Sequence, residues 1–319
     1  MKDSLLNLLF FYYHMKCVVT GGCGFIGSNL TEELLNQCHY VMVIDDLSTG
    51  KKENLPEHQH LEFVQKSICD EDIAKHLEGK DVVFHVAALP RVQFSIQEPL
   101  KTNQANISGK LNLLHACKEA GVKRFVFSSS GSVYGNQETI PLVETMHPKP
   151  MSPYALQKLA GEHYCRLYHE IHGMETISLR YFNVYGPKQD PKAGYAQMIP
   201  KFIRMVREGK QPTIFGDGKN TRDFTFVGDV VKANILAATT TNAEAFGQVF
   251  NIGAGRNIAV HEVAEMIIAM LGSSVKPVYL PEVIEPEHTL ADSGKAAHIL
   301  GWKPETSFEE GLRRMIGID

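Results

Sequence analysis

The sequence predicts an α/β chain, a doubly wound parallel sheet with a smaller C-terminal α/β lobe. Three observations lead there. Short apolar runs alternate with segments of helical period from Lys16 to Leu179. The first run is followed at once by a glycine-rich turn and a helix. After Arg180 the texture changes, and glycine and proline punctuate shorter elements. At 319 residues, 44% hydrophobic and 21% charged, the chain has the composition of a soluble enzyme with one large or two fused domains.

Cys17-Val18-Val19-Thr20 reads as the first strand, Gly21-Gly22-Cys23-Gly24-Phe25-Ile26-Gly27 as the turn, and Leu30, Leu34 and Leu35 as one helix face. Gly21 and Gly24 let the backbone turn tightly and approach a pyrophosphate. Gly27 lets the helix pack against its strand, with the helix N-terminus facing the negative charge. Tyr40 to Ile44 makes the second strand and ends at Asp45. A carboxylate about 20 residues beyond the glycines binds a ribose 2′-hydroxyl and favours NAD over its 2′-phosphorylated form.

Val82 to Ala88 reads as a buried strand, and the small Ala87 and Ala88 leave room for a ligand at its end. Asn103 to Ala120 is helical, with Ile107, Leu111, Leu114 and Ala116 on one side. Arg124 to Phe127 is the next strand and delivers Ser128-Ser129-Ser130 to the same edge. A helix from Pro153 to about His172 follows, then a strand from Thr176 to Leu179. Ligands of such sheets sit outside the carboxyl ends of the strands. The glycine turn, Asp45, Ala87-Ala88 and Ser130 therefore converge on one edge.

Ser152-Pro153-Tyr154-Ala155-Leu156-Gln157-Lys158 starts a helix that puts Tyr154 and Lys158 one turn apart on one face. A nearby ammonium favours the phenolate, so Tyr154 is expected to carry a proton near neutrality while Ser130 holds a substrate oxygen. The spacing alone also fits a solvated helix face, and Tyr12 and Lys16 share it with nothing chemical around them. The converging context is what gives the pair chemical weight.

Beyond Arg180, helices are expected near Ile199 to Arg207, Val230 to Ala238 and Val260 to Leu271, with a strand near Thr213-Ile214. Arg222-Asp223 and the segment from Glu282 to Asp292 read as polar loops, and Val249 to Ile252 as a strand returning to the main sheet. The expected division is an extension over 1–14, a dinucleotide-binding domain over 15–180 with about 224–253 returning to it, and a substrate lobe over 181–319.

A net charge of −4 supplies no basic stripe for nucleic acid or an anionic membrane. Six cysteines without a C-x-x-C pair point to reduced thiols in a cytoplasmic protein. Fourteen histidines lack metal-ligand spacing, so no metal is expected. Leu5 to Tyr13 is apolar apart from Asn7, yet too short to span a bilayer and without a cleavage pattern behind it. Deleting residues 1–14 is expected to leave activity and stability nearly unchanged.

Taken together, T-G-G-C-G-F-I-G, V-I-D-D-L-S-T-G, H-V-A-A, S-S-S-G-S-V-Y-G, S-P-Y-A-L-Q-K, L-R-Y-F-N-V-Y-G and T-R-D-F resemble the extended short-chain dehydrogenase/reductase family. Within it the UDP-hexose 4-epimerases match from about Lys16 to the C-terminus. Segments Q-D-P-K-A-G-Y-A-Q-M-I-P and H-T-L-A-D-S-G-K-A are similar to the subgroup acting on N-acetylated sugars. The resemblance implies a Rossmann domain holding NAD and a reaction through a 4-keto intermediate.

It also implies roles. Tyr154 is the acid/base, Lys158 lowers its pKa and binds the nicotinamide ribose, and Ser130 bonds the reacting oxygen. Gly21, Gly24, Phe25, Ile26, Gly27, Asp45, Asp46, Ser48, Thr49 and Gly50 would contact NAD, with Ser67, Ile68, Ala87, Ala88, Asn106 and Tyr181. Tyr181 and Phe182 would lie beside the nicotinamide. Asn183 and Arg222 would take the diphosphate, the backbone from Thr213 to Phe215 the uracil, and Arg91, Ser132, Gln197, Met198 and Thr289 the rest of the substrate. A homodimer would form through the helices Asn103–Ala120 and Pro153–His172, with Leu159, Leu167 and Ile171 at the contact.

The pattern departs from the family in three places. Ser67 stands where an adenine-contacting aspartate is usual, Glu282 where a diphosphate arginine is usual, and Pro90 to Gln93 replace a small polar run. Related dehydratases carry acidic residues where this chain has Gly131 and Ser132, which favours plain epimerisation. Two other readings stay open: an epimerase of a UDP-uronic acid with Arg91 as carboxylate clamp, and a catalytically silent NAD-binding protein.

Overall fold

The structure, a computed structural model, describes residues 14–190, 198–281 and 288–318. Nearly all of the expected extension, together with Gln197 and Glu282, lies outside the described residues. Eleven strands are present among those described: β1 (Lys16–Thr20), β2 (Tyr40–Asp45), β3 (Leu61–Gln65), β4 (Val82–His85), β5 (Arg124–Ser130), β6 (Glu175–Tyr181), β7 (Thr213–Phe215), β8 (Thr221–Asp223), β9 (Gln248–Ile252), β10 (Asn257–Ala259) and β11 (Val278–Leu280). Seven of them form one parallel sheet in the order β3-β2-β1-β4-β5-β6-β9. The order reverses between β1 and β4, which opens a crevice beyond Thr20 and His85.

Helices cover both faces of this sheet, so its strands read as continuous apolar runs rather than alternating ones. Val19, Val126 and Leu179 pack with Leu30 and Leu34 of α1 (Phe25–Asn36) on one face. Val18, Phe125 and Phe127 face Leu113 and Cys165 on the other. The helices after α1 are α2 (Val92–Gln97), α3 (Pro99–Asn103), α4 (Lys110–Glu119), α5 (Pro153–His172), α6 (Met198–Arg207), α7 (Val227–Thr239), α8 (Val260–Met270), α9 (Gly294–Leu300) and α10 (Phe308–Ile316). Ser152 caps α5 by accepting the Ala155 N–H at 3.2 Å, and Gly173 ends it with φ 66°.

Two expectations are corrected. Asn103–Ala120 is not one α-helix: α3 and α4 are joined by a π-helical stretch, Gln104–Gly109. Within it the Asn106 amide grips the backbone of Leu89 in both directions. Arg222-Asp223 is not loop but strand β8, because Thr221, Arg222 and Asp223 pair antiparallel with Ala259, Ile258 and Asn257 of β10.

Candidate active site

The glycine turn is shaped by close backbone approach. A Cβ on Gly21, whose φ is 71°, would stand 2.7 Å from the Cα of Ala87. A Cβ on Gly27 would stand 2.2 Å from the Gly21 carbonyl oxygen, so this glycine serves the turn itself rather than helix-to-strand packing. Gly24 occupies the N-cap of α1 and has no side chain to cap it. As first-turn N–H groups, those of Phe25 and Ile26 have no intrahelical acceptor, the chemistry that suits an anion. Asp45 is buried, and its carboxylate accepts the Cys23 N–H at 2.9 Å and the Leu47 N–H at 2.8 Å. These residues fit a dinucleotide.

The neighbouring run closes around the same turn. Asp46 accepts the Ser48 N–H at 2.9 Å. A Cβ on Gly50 would meet Cys23 at 2.8 Å, so only glycine brings this loop over the turn. Asp70 accepts the Ser67 N–H at 3.2 Å, and the Ser67 hydroxyl accepts from the Cys69 N–H at 3.2 Å.

Strand β5 and helix α5 bring Ser130, Tyr154 and Lys158 together. Ser130 stands beside Tyr154, close enough to lower its phenol, and accepts the Ser132 N–H at 3.2 Å. Lys158 donates to the Ser128 carbonyl at 2.7 Å, and its Nζ lies 5.7 Å from the Tyr154 ring centroid. Burial pushes the Tyr154 phenol up to about 12, which Ser130 only partly offsets. Burial, helped by the charge on Lys110 and opposed by Glu162, pushes Lys158 down to about 7. In the protein chain burial, opposed by Ser130, holds the Tyr154 phenol high, and the lysine is the group moved toward neutrality.

Several residues that no local motif announces hold this arrangement. Ser95 of α2 is fully buried and accepts the Tyr154 N–H at 3.1 Å. Asn106 donates to Gln157 at 2.7 Å, and Gln157 donates to Thr102 at 3.0 Å. With both amide atoms engaged inside the protein, Asn106 braces the turn after Ala88 instead of presenting an open donor. Ser129 and Arg180 both bond Glu162, and the Arg180–Glu162 pair at 2.7 Å is buried. Breaking one partner of such a pair typically costs about 3–5 kcal/mol.

Gly131 follows Ser130, and a Cβ there would stand 3.0 Å from the Phe182 ring. An acidic side chain at this position would press on that ring, which must give by a few tenths of an ångström to admit it. Among the described residues the buried Ser132 hydroxyl has no hydrogen-bond partner. Tyr181 is not placed at an open face: its hydroxyl lies between Ser128 and Asn234, each at 3.0 Å, in the cluster shared with α7.

On the lobe side, Asn183, with φ 32°, donates to the Asp223 carbonyl at 3.0 Å and to Thr289 at 3.4 Å. Thr289 also accepts the Asp223 N–H at 3.3 Å. Arg222 donates to the Thr221 carbonyl at 3.0 Å. Thr213 and Phe215 lie on β7, which pairs with β11, and Met198 opens α6. Arg91 precedes α2, the helix that carries Ser95. Sequence reasoning missed Ser95, Glu162 and the Asp223 carboxylate, whose partners are remote in the chain.

A family model described as the NAD dependent epimerase/dehydratase family matches residues 17–253. The UDP-glucose 4-epimerase of Mycolicibacterium smegmatis is 37% identical over 309 residues, covering 95% of this chain and 97% of that one. Among solved structures, a UDP-N-acetylglucosamine 4-epimerase from Methanobrevibacter ruminantium M1, in complex with UDP-N-acetylmuramic acid, is similar with a TM-score of 0.91 and 41% identity, covering 95% of this chain and 97% of that one. A UDP-glucuronic acid 4-epimerase from Bacillus cereus, in complex with UDP-glucuronic acid and NAD, is similar with a TM-score of 0.87 and 35% identity, covering 95% and 98%.

Proposed function

The chain belongs to the NAD dependent epimerase/dehydratase family, and from that premise we propose that it interconverts the C4 epimers of a UDP-hexose. The substrates are the N-acetylglucosamine/N-acetylgalactosamine pair and, beside it, glucose/galactose. The observation that carries this is the Ser130–Tyr154 contact above Lys158, with Gly131 closed against Phe182. One proton carrier is present, and no second acid stands after the serine for a dehydration.

Tyr154 takes the proton from the sugar 4-hydroxyl and later returns it, while Ser130 holds the same oxygen. NAD, when bound, would supply reversible hydride transfer at sugar C4. The turn from Gly21 to Gly27 and the N-terminus of α1 would hold its pyrophosphate, and Asp45 a ribose. The buried hydroxyl of Ser132, without a partner among the described residues, suits a sugar hydroxyl. The modest size of Thr289 at the lobe side supports an acetamido group at C2.

The test is a panel of UDP-sugars incubated with the purified enzyme, the epimers resolved by chromatography. Conversion of UDP-N-acetylglucosamine supports the reading; conversion of none of the panel sinks it. A second reading, UDP-glucuronic acid, is favoured by the position of Arg91 before α2, whose Ser95 touches the start of the catalytic helix. Turnover of UDP-glucuronic acid faster than of the neutral sugars would select it. The assembly proposed is a homodimer through α5 and the α3–α4 region.

A further inference from the structure

The Asp223 side chain has a place that the reaction does not explain. It is fully buried on β8, and its carboxylate accepts N–H groups from two separate segments: Ala254 at 2.9 Å and Gly255 at 3.0 Å after β9, and Ala291 at 2.9 Å before α9. Successive N–H groups of this kind form a concave anion nest, and here the anion belongs to the protein. Gly253 makes the approach feasible, since a Cβ there would stand 2.8 Å from the carboxylate and 2.4 Å from Ala291. The backbone of the same residue meets Asn183 through its carbonyl and Thr289 through its N–H.

We infer that Asp223 is a positioning residue of the substrate side, joining the segment that carries Thr289 to the loop after β9 and thereby setting where Asn183, Arg222 and Thr289 present themselves. It touches neither the proton carrier nor the NAD-facing turn, so its effect falls on nucleotide-sugar affinity and not on the chemical step. The inference rests on the UDP-sugar reading above.

Burial raises this carboxyl to about 6 despite its backbone bonds. The charged or titratable side chains on the segments it joins are Arg222 on its own strand, Arg256 in the loop after β9, and His288 and Asp292 in the segment before α9. Protonation would exchange an acceptor of several N–H groups for one with a proton of its own, and the nest would loosen as pH falls through about 6. Both phosphates of a UDP-sugar are disubstituted and keep their charge in this range, whereas the terminal phosphate of free UDP takes up a proton at about pH 6.

The experiment measures UDP binding by calorimetry and UDP-sugar kinetics for the NAD-loaded wild type, Asp223→Asn and His288→Gln, from about pH 8 down to about pH 5. Asp223→Asn should raise KM and the UDP dissociation constant about tenfold or more at the upper pH, with kcat within about threefold. With a UDP-sugar as ligand, KM of the wild type and His288→Gln should rise as pH falls through about 6, and that of Asp223→Asn should not. Unchanged UDP affinity in Asp223→Asn, or a fall in kcat at constant KM, overturns the inference. If Asp223→Asn does not fold, the comparison of wild type with His288→Gln decides, and loss of the acid limb in His288→Gln overturns it. A wild type that binds UDP but converts no sugar sinks the epimerase reading alone; one that binds no UDP sinks both.

Discussion

The Lys158 ammonium group lies 2.7 Å from the carbonyl oxygen of Ser128, on the strand that also delivers Ser130 to Tyr154. The lysine is therefore anchored to the backbone of the sheet and reaches its tyrosine through space. A phenol beside a neutral amine and a phenolate beside an ammonium hold the same number of protons. In the buried chain the first pair is the favoured one. A positive charge brought next to Tyr154 shifts the balance toward the second.

Tyr154→Phe should reduce turnover by at least about a hundredfold, the usual scale for loss of a general acid/base. Fold and bound nicotinamide should persist, because the Ser95 bond uses the backbone N–H of residue 154 and not its hydroxyl. Steady-state rates and nicotinamide absorbance check both halves. A residual rate above about a hundredth of wild type would remove Tyr154 from its role.

The lowered pKa of Lys158 carries a pH signature in stability. Its folded value, about 7, lies below that of an unfolded lysine. Its contribution is thus fully present above about pH 10.4 and is lost as pH falls through about 7. The difference in urea midpoint between wild type and Lys158→Met should shift in the variant's favour across that window and then level off. The comparison cancels the tyrosines that titrate above it. A difference that stays flat from alkaline to neutral pH would mean that Lys158 keeps its charge throughout.

Gly131→Ala should destabilise and slow the enzyme, because its Cβ falls against the Phe182 ring. Overpacking of this kind costs about 1–3 kcal/mol. Gly131→Ala with Phe182→Leu should recover most of the loss in melting temperature. If the single variant melts like the wild type, the Phe182 wall is not rigid and the steric case against an acid there fails.

Thr289→Tyr should depress kcat/KM for the N-acetylated pair by roughly 5- to 150-fold while sparing the unacetylated one. The ring would occupy the acetamido volume and remove the hydroxyl that accepts from Asn183. Equal losses on both pairs would transfer the gate to the Arg91 region.

Leu167→Glu with Ile171→Glu should turn the proposed dimer into a monomer in sedimentation. Ile171 is 67% and Leu156 55% exposed, and with Leu167 they form one stripe along α5. Leu159, expected on that face, packs instead against the Val133–Tyr134 cluster, because its position turns it toward the sheet edge. A wild type that sediments as a monomer ends the proposal.

The dinucleotide turn was legible because its chemistry is local: three glycines, a carboxylate after the next strand, and a helix start lie within one βαβ unit. Tyr154 and Lys158 were legible for the same reason, since i and i+4 on a helix share a face whatever the tertiary structure. The direction of the Lys158 ammonium was not, because its acceptor is a carbonyl thirty residues away in sequence. Nor was the fully buried Lys110, which donates to the Cys165 sulfur at 3.3 Å across two helices. Arg222-Asp223 read as loop because a three-residue strand has no period to detect, and only its partner Asn257–Ala259 defines it. The depth of burial of Tyr154 and Lys158 is likewise a quantity no spacing encodes.

Strand β9 closes the edge of the main sheet, yet it is made after α6, β7, β8 and α7. During synthesis β6 therefore pairs with β5 on one side while its other edge waits for residues 248–252. Contacts of such long sequence separation are slow to form, and an unpaired, apolar strand edge is a template for the wrong partner. A nascent or truncated chain ending before Gln248 should thus be a client for chaperones, and aggregation in expression should rise sharply for any chain that stops short of β9.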